Sequence, residues 1–288
     1  MKRSSVVLAA ALLAAIPRLV HAQAPGFVVQ QVQVAVERAR VVGSGNVFVR
    51  YILIDPGNAV PVRDGFAPLD RAAVLVLFIG GDGTLGFTAN QTNTGSPNFV
   101  TRNRNHFAAE GFVVAVVDAA NDFNNLATGL RGRRLGEEHR ADLQAVMSDL
   151  RARYPGLPVW AVGHSRGTVS AAVMGASVTP PADGLVLTSS LTGPDPTEDL
   201  NGVALESISA PALIVSHKDE QCFLTLPEDS MVLRDRFTAS ETVHFALFSG
   251  GSTPISNSCD PLSPHGFFGI DQKVVEAIAR WIKHREGP

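Results

Sequence analysis

Short, almost continuous apolar runs that alternate with helical segments constrain the fold of this chain more than any other feature. Six such runs occupy residues 73–79, 112–118, 159–163, 184–189, 212–217 and 242–248. Strands that are covered by helices on both faces have this composition, because neither face meets water. Alternation of such strands with helices is typical of βαβ units. The sequence therefore predicts a mainly parallel sheet.

Two further strands are predicted nearer the N-terminus, at residues 27–36 and 47–54. The turn-forming sequence Gly43-Ser44-Gly45-Asn46 lies between them and favours an antiparallel hairpin. Helices are predicted at residues 99–110, 135–154, 166–176, 228–237 and 271–285. The expected fold class is α/β, with an eight-stranded, mainly parallel sheet, helices on both faces and an N-terminal antiparallel hairpin.

The size of the chain fits one large domain. Its 288 residues, of which 45% are hydrophobic, can bury a substantial core without division into two units. No internal repeat marks a boundary, so residues 23–288 are expected to form a single domain. The connection between the strands at 184–189 and 212–217 is short and rich in Pro, Asp and Thr. It leaves little room for a helical lid, which predicts a shallow, open active site.

The N-terminal segment has the pattern of a secretory signal peptide. Lys2 and Arg3 precede an apolar run over residues 6–16, and small residues follow around Ala22 and Ala24. The run is too short for a membrane span, which needs about 20 residues. Cleavage after Ala22 is favoured, because cleavage after Ala24 would leave Pro25 at the new N-terminus. We expect residues 1–22 to be removed and the mature chain to be periplasmic or secreted, without membrane insertion.

Charge and metal-binding patterns exclude several classes of partner. The formal net charge of −3 provides no basic surface for nucleic acid. No CxxC, HxxxH or HExxH spacing occurs, so neither a metal nor a cofactor is predicted. Cys222 and Cys259 are the only cysteines, and in an exported protein such a pair is expected to form a disulfide. Two buried free thiols are the alternative.

The pentapeptide Gly163-His164-Ser165-Arg166-Gly167 carries the strongest chemical signal. A Gly-x-Ser-x-Gly sequence between a buried strand and a helix is typical of a nucleophile elbow, in which the serine projects from a sharp turn above the sheet. The alternative, an inert serine in a glycine-flanked turn, does not require the flanking strand and helix that this sequence predicts. Ser165 is therefore the predicted nucleophile.

A serine nucleophile needs a base and an acid, which follow it along the chain in this type of fold. His265 lies in a loop between the last predicted strand and the C-terminal helix, where the base is expected. Asp219 directly follows the strand at 212–217 and is the favoured acid, with Glu220 as the near alternative. Asp260 and Asp271 are less favoured candidates for the acid, because of their location alone. A disulfide between Cys222 and Cys259 would then join the acid loop to the base loop.

The oxyanion formed during acyl transfer needs hydrogen-bond donors. The backbone N–H of Arg166, the residue after the nucleophile, is the first candidate. The second is predicted in the glycine-rich loop at 78–84, from the backbone N–H of Gly81 or Asp82. A phosphate-binding loop is the competing interpretation, but neither GxxxxGK[ST] nor a GxGxxG followed by the required helix is present. Five polar loop residues either line the pocket or are simply exposed to solvent: Asn121, Asp122, Asn124, Thr192 and Asp195.

On these motifs the chain resembles the α/β-hydrolase superfamily over nearly all of its mature length, and more narrowly the exported, lidless, dienelactone-hydrolase-like serine hydrolases. Dienelactone hydrolases proper use a cysteine nucleophile, whereas Ser165 occupies the elbow here, so the resemblance does not imply lactone specificity. It implies an α/β-hydrolase fold and a triad of Ser165, Asp219 and His265, and it says little about the substrate. The predicted activity is cofactor-free cleavage of a small-molecule carboxylic ester or related acyl bond. A peptidase, amidase or thioesterase using the same triad, or a non-catalytic binding module, remains the alternative.

Overall fold

One eight-stranded sheet organises the protein. The computed structural model describes residues 27–58 and 70–285, so the predicted signal peptide and its cleavage sites lie outside the described residues. All eight predicted strands form. They are β1 (Val28–Val36), β2 (Val47–Asp55), β3 (Ala73–Phe78), β4 (Phe112–Val117), β5 (Val159–His164), β6 (Gly184–Thr188), β7 (Ala212–His217) and β8 (Val243–Phe248).

The strands lie side by side in the order β1-β2-β4-β3-β5-β6-β7-β8. The predicted antiparallel hairpin is confirmed, because β1 and β2 pair from Val28 opposite Asp55 to Val36 opposite Val47. β2 also pairs antiparallel with β4, and every later pair is parallel. The mainly parallel sheet predicted from the apolar runs is therefore present.

Successive residues of the central strands pack into two separate cores on opposite faces of the sheet. In β3, Val74 and Val76 belong to one core, and Leu75 and Leu77 belong to the other. Side chains alternate between the two faces of a strand, so a strand buried on both faces needs an apolar residue at every position. This arrangement explains the unbroken apolar runs that the sequence shows.

Within the part of the chain that the structure describes, six helices cover the two faces. They are α1 (Phe99–Arg102), α2 (Arg104–Ala109), α3 (Glu137–Arg153), α4 (Gly167–Ala176), α5 (Pro227–Leu233) and α6 (Asp271–His284). The buried residues of α3 and α4 join one core, whereas those of α1, α2 and α6 join the other. The predicted helix at 99–110 is interrupted at Asn103, whose side-chain amide donates to Phe99 O and to Asp271 Oδ1.

The connection between β6 and β7 contains no α-helix. Its only regular structure is two short 3₁₀ turns, Leu200–Gly202 and Leu205–Ser207. The expectation that this segment forms no helical lid is met. Because β3, β5, β6 and β7 are parallel, the loops that follow them meet at one edge of the sheet, where α/β proteins place their working residues.

Across residues 27–58 and 70–285, no helix is both long and apolar enough to span a membrane.

Candidate active site

Ser165 lies at a sharp turn between β5 and α4, with a backbone φ of +56°. Left-handed backbone is uncommon for residues other than glycine and is typical of a strained functional turn. The turn requires glycine at its end: a Cβ on Gly167 would lie 2.2 Å from Phe78 O. The strand, turn and helix predicted for a nucleophile elbow are therefore all present.

His265 lies in a short 3₁₀ turn, Pro264–Gly266, before α6. Its Nδ1 is 2.9 Å from Glu220 Oε2 and 3.1 Å from Thr225 Oγ1, and all three residues are buried. A carboxylate can only accept, so Nδ1 carries the hydrogen and donates it. Ser189 Oγ donates to His265 O over 2.8 Å and fixes the backbone of the turn.

The partner of His265 is Glu220, so the structure corrects the sequence prediction of Asp219. The Asp219 side chain is 62% exposed, whereas that of Glu220 is 1% exposed. The chain turns after β7, with Glu220 N–H bonded to His217 O, and this turn leaves Asp219 outside. The Asp219 N–H donates to His217 Nδ1 over 3.0 Å. Glu220 Oε1 accepts from Cys222 N–H, which holds the carboxylate towards His265.

The predicted disulfide between Cys222 and Cys259 is present, with the two Cα atoms 4.7 Å apart. Cys222 lies two residues after Glu220, and Cys259 lies six residues before His265. The bond therefore joins the loop that carries the carboxylate to the loop that carries the imidazole.

Ser165 and His265 line the same cavity, which has a volume of about 250 Å³. Gly81, Asp82 and Cys259 also line it. Within the described residues, neither Ser165 Oγ nor His265 Nε2 has a hydrogen-bond partner. Such contacts commonly tighten only when substrate is bound. A larger cavity of about 490 Å³ lies beside His217 and Asp219, and neither Ser165 nor His265 lines it.

The residue before Ser165, His164, is buried beside Phe99 and Phe267, and its ring centroid lies 4.9 Å from that of His265. Its Nδ1 bonds to Thr188 Oγ1 over 3.0 Å. Burial, with smaller contributions from His265 and Arg102, holds the pKa of His164 well below its usual value. His164 is therefore neutral and adds no charge beside His265.

The three candidate oxyanion donors lie around Ser165, at the start of α4 and in the loop after β3. Among the described residues, no acceptor bonds to the backbone N–H of Arg166, Gly81 or Asp82. The Arg166 N–H also lies at the N-terminal end of α4, where the helix dipole favours negative charge. These free donors are what an oxyanion site requires.

The Arg166 side chain enters a buried charged cluster. It contacts the Asp195 carboxylate and lies 3.4 Å from Glu198 Oε1, which also accepts from Arg134 Nη1 over 2.6 Å. Burial alone would raise the pKa of Asp195, but hydrogen bonds from Arg166 and Thr197 outweigh it and hold that pKa below its usual value.

The other residues that the sequence suggested for the pocket have different positions. Asp195 pairs with Arg166. Asp122 pairs with Arg38, which lies 84 residues earlier in the chain. Neither Asn121, Asn124 nor Thr192 lines the cavity that holds Ser165. Asp260 lines this cavity without contacting His265, and Asp271 pairs with Arg102. Sequence reasoning missed Thr225, Arg134 and Glu198, for which no motif provides a signal.

In residues 27–58 and 70–285, no three His, Cys, Asp or Glu side chains come close enough together to hold a metal ion.

No protein-family model and no curated protein matches the sequence. Solved structures do match it. Dienelactone hydrolase from Anabaena variabilis superposes with a TM-score of 0.56 at 15% identity, over 89% of this chain and 98% of its own. The thermostable carboxylesterase EstE1, from a metagenomic library, superposes with a TM-score of 0.58 at 15% identity, over 92% of each chain. Acylaminoacyl peptidase from Pyrococcus horikoshii has a TM-score of 0.56 at 11% identity, over 90% of this chain and 41% of the peptidase.

The chain therefore has the α/β-hydrolase fold, as the resemblance implied. Identities this low establish the fold alone, because one fold hosts many activities.

Proposed function

We propose that this protein is a serine hydrolase that cleaves carboxylic esters through an acyl-enzyme on Ser165. The pair formed by Glu220 and His265, which faces the cavity lined by Ser165, is the observation that carries the proposal. A buried imidazole whose Nδ1–H is bound by a carboxylate has its Nε2 free to accept a proton.

In the proposed reaction, His265 Nε2 removes the hydroxyl proton as Ser165 Oγ attacks the ester carbonyl. The resulting oxyanion is bound by the Arg166 N–H and by the N–H of Gly81 or Asp82. Collapse of this intermediate breaks the C–O bond, and His265 returns the proton to the departing alcohol. Water, deprotonated by His265, then attacks the acyl-enzyme and releases the carboxylic acid. No cofactor takes part.

Glu220 takes the role that the sequence assigned to Asp219. Its carboxylate holds the His265 tautomer and stabilises the imidazolium that forms when the proton is taken from Ser165.

A fluorophosphonate probe tests the nucleophile directly, since it labels only an activated serine. We expect one labelled residue, Ser165, identified by peptide mass spectrometry. Ser165→Ala should abolish the label, and the matched control Ser148→Ala, at an exposed serine on α3, should retain it. Absence of labelling in the wild-type protein would indicate a non-catalytic binding module instead.

A peptidase or amidase is the second candidate, because acylaminoacyl peptidase is among the proteins that share the fold. Parallel assays with p-nitrophenyl acetate and an aminoacyl p-nitroanilide separate the two activities, and a thioester of the same acyl group adds the thioesterase. Preferential turnover of the anilide would reject the ester assignment while retaining Ser165 as nucleophile.

We also propose that residues 1–22 are removed on export to the periplasm or medium, leaving a single domain over residues 23–288. The disulfide between Cys222 and Cys259 supports export, because such bonds persist in oxidising compartments. N-terminal sequencing of the mature protein should begin at Gln23. A start at Pro25 would shift the cleavage site to Ala24, and an intact Met1 in the cytoplasmic fraction would reject export.

A further inference from the structure

A buried ionic cluster lies directly behind the loop that carries two of the candidate oxyanion donors. Glu198 is its centre. One carboxylate oxygen, Oε1, accepts from Arg134 Nη1 at 2.6 Å and lies 3.4 Å from Arg166 Nη1. The other, Oε2, accepts from the backbone N–H groups of Gly132 and Arg134. The Arg134 and Glu198 side chains are 1% and 0% exposed. The catalytic steps proposed above use neither side chain.

The second arm of Arg134 reaches the oxyanion loop. Its Nη2 donates to Gly81 O over 3.1 Å. The loop is shaped around this guanidinium, because a Cβ on Gly83, which has a φ of +76°, would lie only 2.7 Å from Arg134 Nη2. The loop sequence and the position of Arg134 are therefore mutually dependent.

The contact with Gly81 O determines where the next amide points. Gly81 O and the Asp82 N–H belong to the same peptide unit, and in the described residues the only cis peptide bond is Thr179-Pro180. In a trans peptide the N–H points opposite to the C=O. Arg134, buried behind the loop, thus holds the Asp82 N–H directed away from itself. Asp82 lines the cavity that contains Ser165.

The same cluster holds the other side of the oxyanion site. The Arg166 side chain is bound by Glu198 and Asp195, and its backbone N–H is the donor next to the nucleophile. One carboxylate, Glu198, is therefore common to the two arginines that anchor the loop after β3 and the start of α4.

We propose that Arg134 and Glu198 are positioning residues that fix the Asp82 N–H and the Arg166 N–H as the two donors of the oxyanion hole. The inference rests on the proposed function and deepens it by naming the side chains that hold the donors in place. It also gives the buried pair a role. Buried ion pairs are commonly no more stabilising than apolar residues of the same volume, because both charges lose their hydration. The Arg134 guanidinium binds the Gly81 carbonyl and the Glu198 carboxylate at the same time, and no apolar side chain can make these two contacts.

The test compares Arg134→Met with Arg38→Met. Arg38 forms a similar buried pair, with Asp122 and Asp142, and does not line the catalytic cavity. Its loss should lower the Tm while leaving kcat and KM for p-nitrophenyl acetate close to wild type. Arg134→Met should lower kcat on the order of 10²-fold with KM changed by about twofold or less, as expected for loss of an interaction made in the transition state.

A second measurement reports on the oxyanion hole itself. The thiono ester, with sulfur in place of the carbonyl oxygen, forms weaker hydrogen bonds with the same donors. Wild-type protein should therefore prefer the oxygen ester strongly in kcat/KM. Arg134→Met should reduce this preference about tenfold, and Arg38→Met should leave it unchanged. A purely structural role for Arg134 would lower the Tm without changing the preference.

If Arg134→Met does not fold, Arg134→Lys decides the matter, because a lysine can pair with Glu198 but cannot form the two-armed contact. A reduced oxygen-ester preference in a folded Arg134→Lys protein supports the proposal. An unchanged preference in whichever variant folds overturns it. Failure of the wild-type protein to turn over either ester overturns the proposed function, and this proposal with it.

Discussion

The Nδ1 atom of His265 lies 2.9 Å from Glu220 Oε2, although the two residues are 45 positions apart in the chain. The Glu220 side chain is 1% exposed, and the second oxygen of its carboxylate accepts from the Cys222 N–H. Its neighbour Asp219 points into solvent. Substitutions at the two adjacent positions should therefore have very different effects.

Glu220→Gln should lower kcat by roughly 10³–10⁴-fold, because an amide no longer holds the correct tautomer or stabilises the imidazolium. Asp219→Asn, one residue earlier, should retain kcat within about twofold. Steady-state hydrolysis of p-nitrophenyl acetate measures both. A large loss in Asp219→Asn together with a small one in Glu220→Gln would restore Asp219 as the acid.

Thr225 should make a smaller contribution through His265. Its Oγ1 lies 3.1 Å from Nδ1 in a fully buried position. Thr225→Val keeps the shape but removes the hydroxyl, which should lower kcat about fivefold, the equivalent of one ordinary hydrogen bond of about 1 kcal/mol. Thr225→Ser should restore kcat. If serine is as slow as valine, the effect comes from packing of the methyl group and not from the hydrogen bond.

Loss of the disulfide should affect both stability and turnover. Cys222 and Cys259 are separated by 37 residues, and for a loop of this length the chain-entropy account predicts a loss of about 4 kcal/mol in the free energy of unfolding. Cys222→Ser and Cys259→Ser should each lower the Tm, and each should lower kcat at temperatures where the protein is still folded. Reductant should reproduce the effect in wild-type protein and leave the serine variants unchanged. Equal Tm and kcat in all forms would contradict the expected coupling.

Acid should destabilise the protein through His139. This residue is buried in α3 with its Nε2 2.9 Å from Ser170 Oγ. Burial, assisted by the positive charges of Arg134 and Arg38, lowers the pKa of His139 to about 3. The unfolded chain, in which the pKa is about 6.5, binds this proton first as the pH falls. Stability from this group is therefore complete above pH 6.5 and is lost between there and pH 3.

His139→Gln, which does not titrate, should reduce the pH dependence of the unfolding free energy by up to about 1.4 kcal/mol per pH unit in this window. Urea denaturation at pH 7, 6, 5 and 4 measures the slope. His284→Gln, at an exposed position near the end of α6, is the matched control and should keep the wild-type slope. An identical slope in His139→Gln would show that other groups carry the acid response.

The strands and the elbow were predictable because their signals are local. A strand that is buried on both faces needs apolar residues throughout, and the elbow needs Gly163 and Gly167 where backbones approach closely. The choice between Asp219 and Glu220 was not predictable. Both residues follow β7 and precede His265, so the order of nucleophile, acid and base along the chain fits either of them. Only the turn after His217 decides which side chain faces inwards.

The contacts of Arg134 with Glu198 and Gly81 could not be predicted from the sequence for another reason. Arg134 contacts Glu198 and Gly81 across separations of 64 and 53 residues. Neither contact belongs to a recurring motif, and an arginine in a loop normally indicates a solvated surface. Only the packing of three loops against one another reveals that this side chain has no contact with water.

The bond between Cys222 and Cys259 makes a closed ring of the intervening chain, and Glu220 and His265 lie just outside its two ends. Residues 250–256 of this ring also bond directly to the chain around His265, because Ser252 N–H donates to Phe268 O and Ser256 Oγ accepts from Leu262 N–H. The ring is thus tied to the turn that carries His265 at several points, so a change in it is transmitted to the imidazole by backbone contacts as well as by the sulfur bridge.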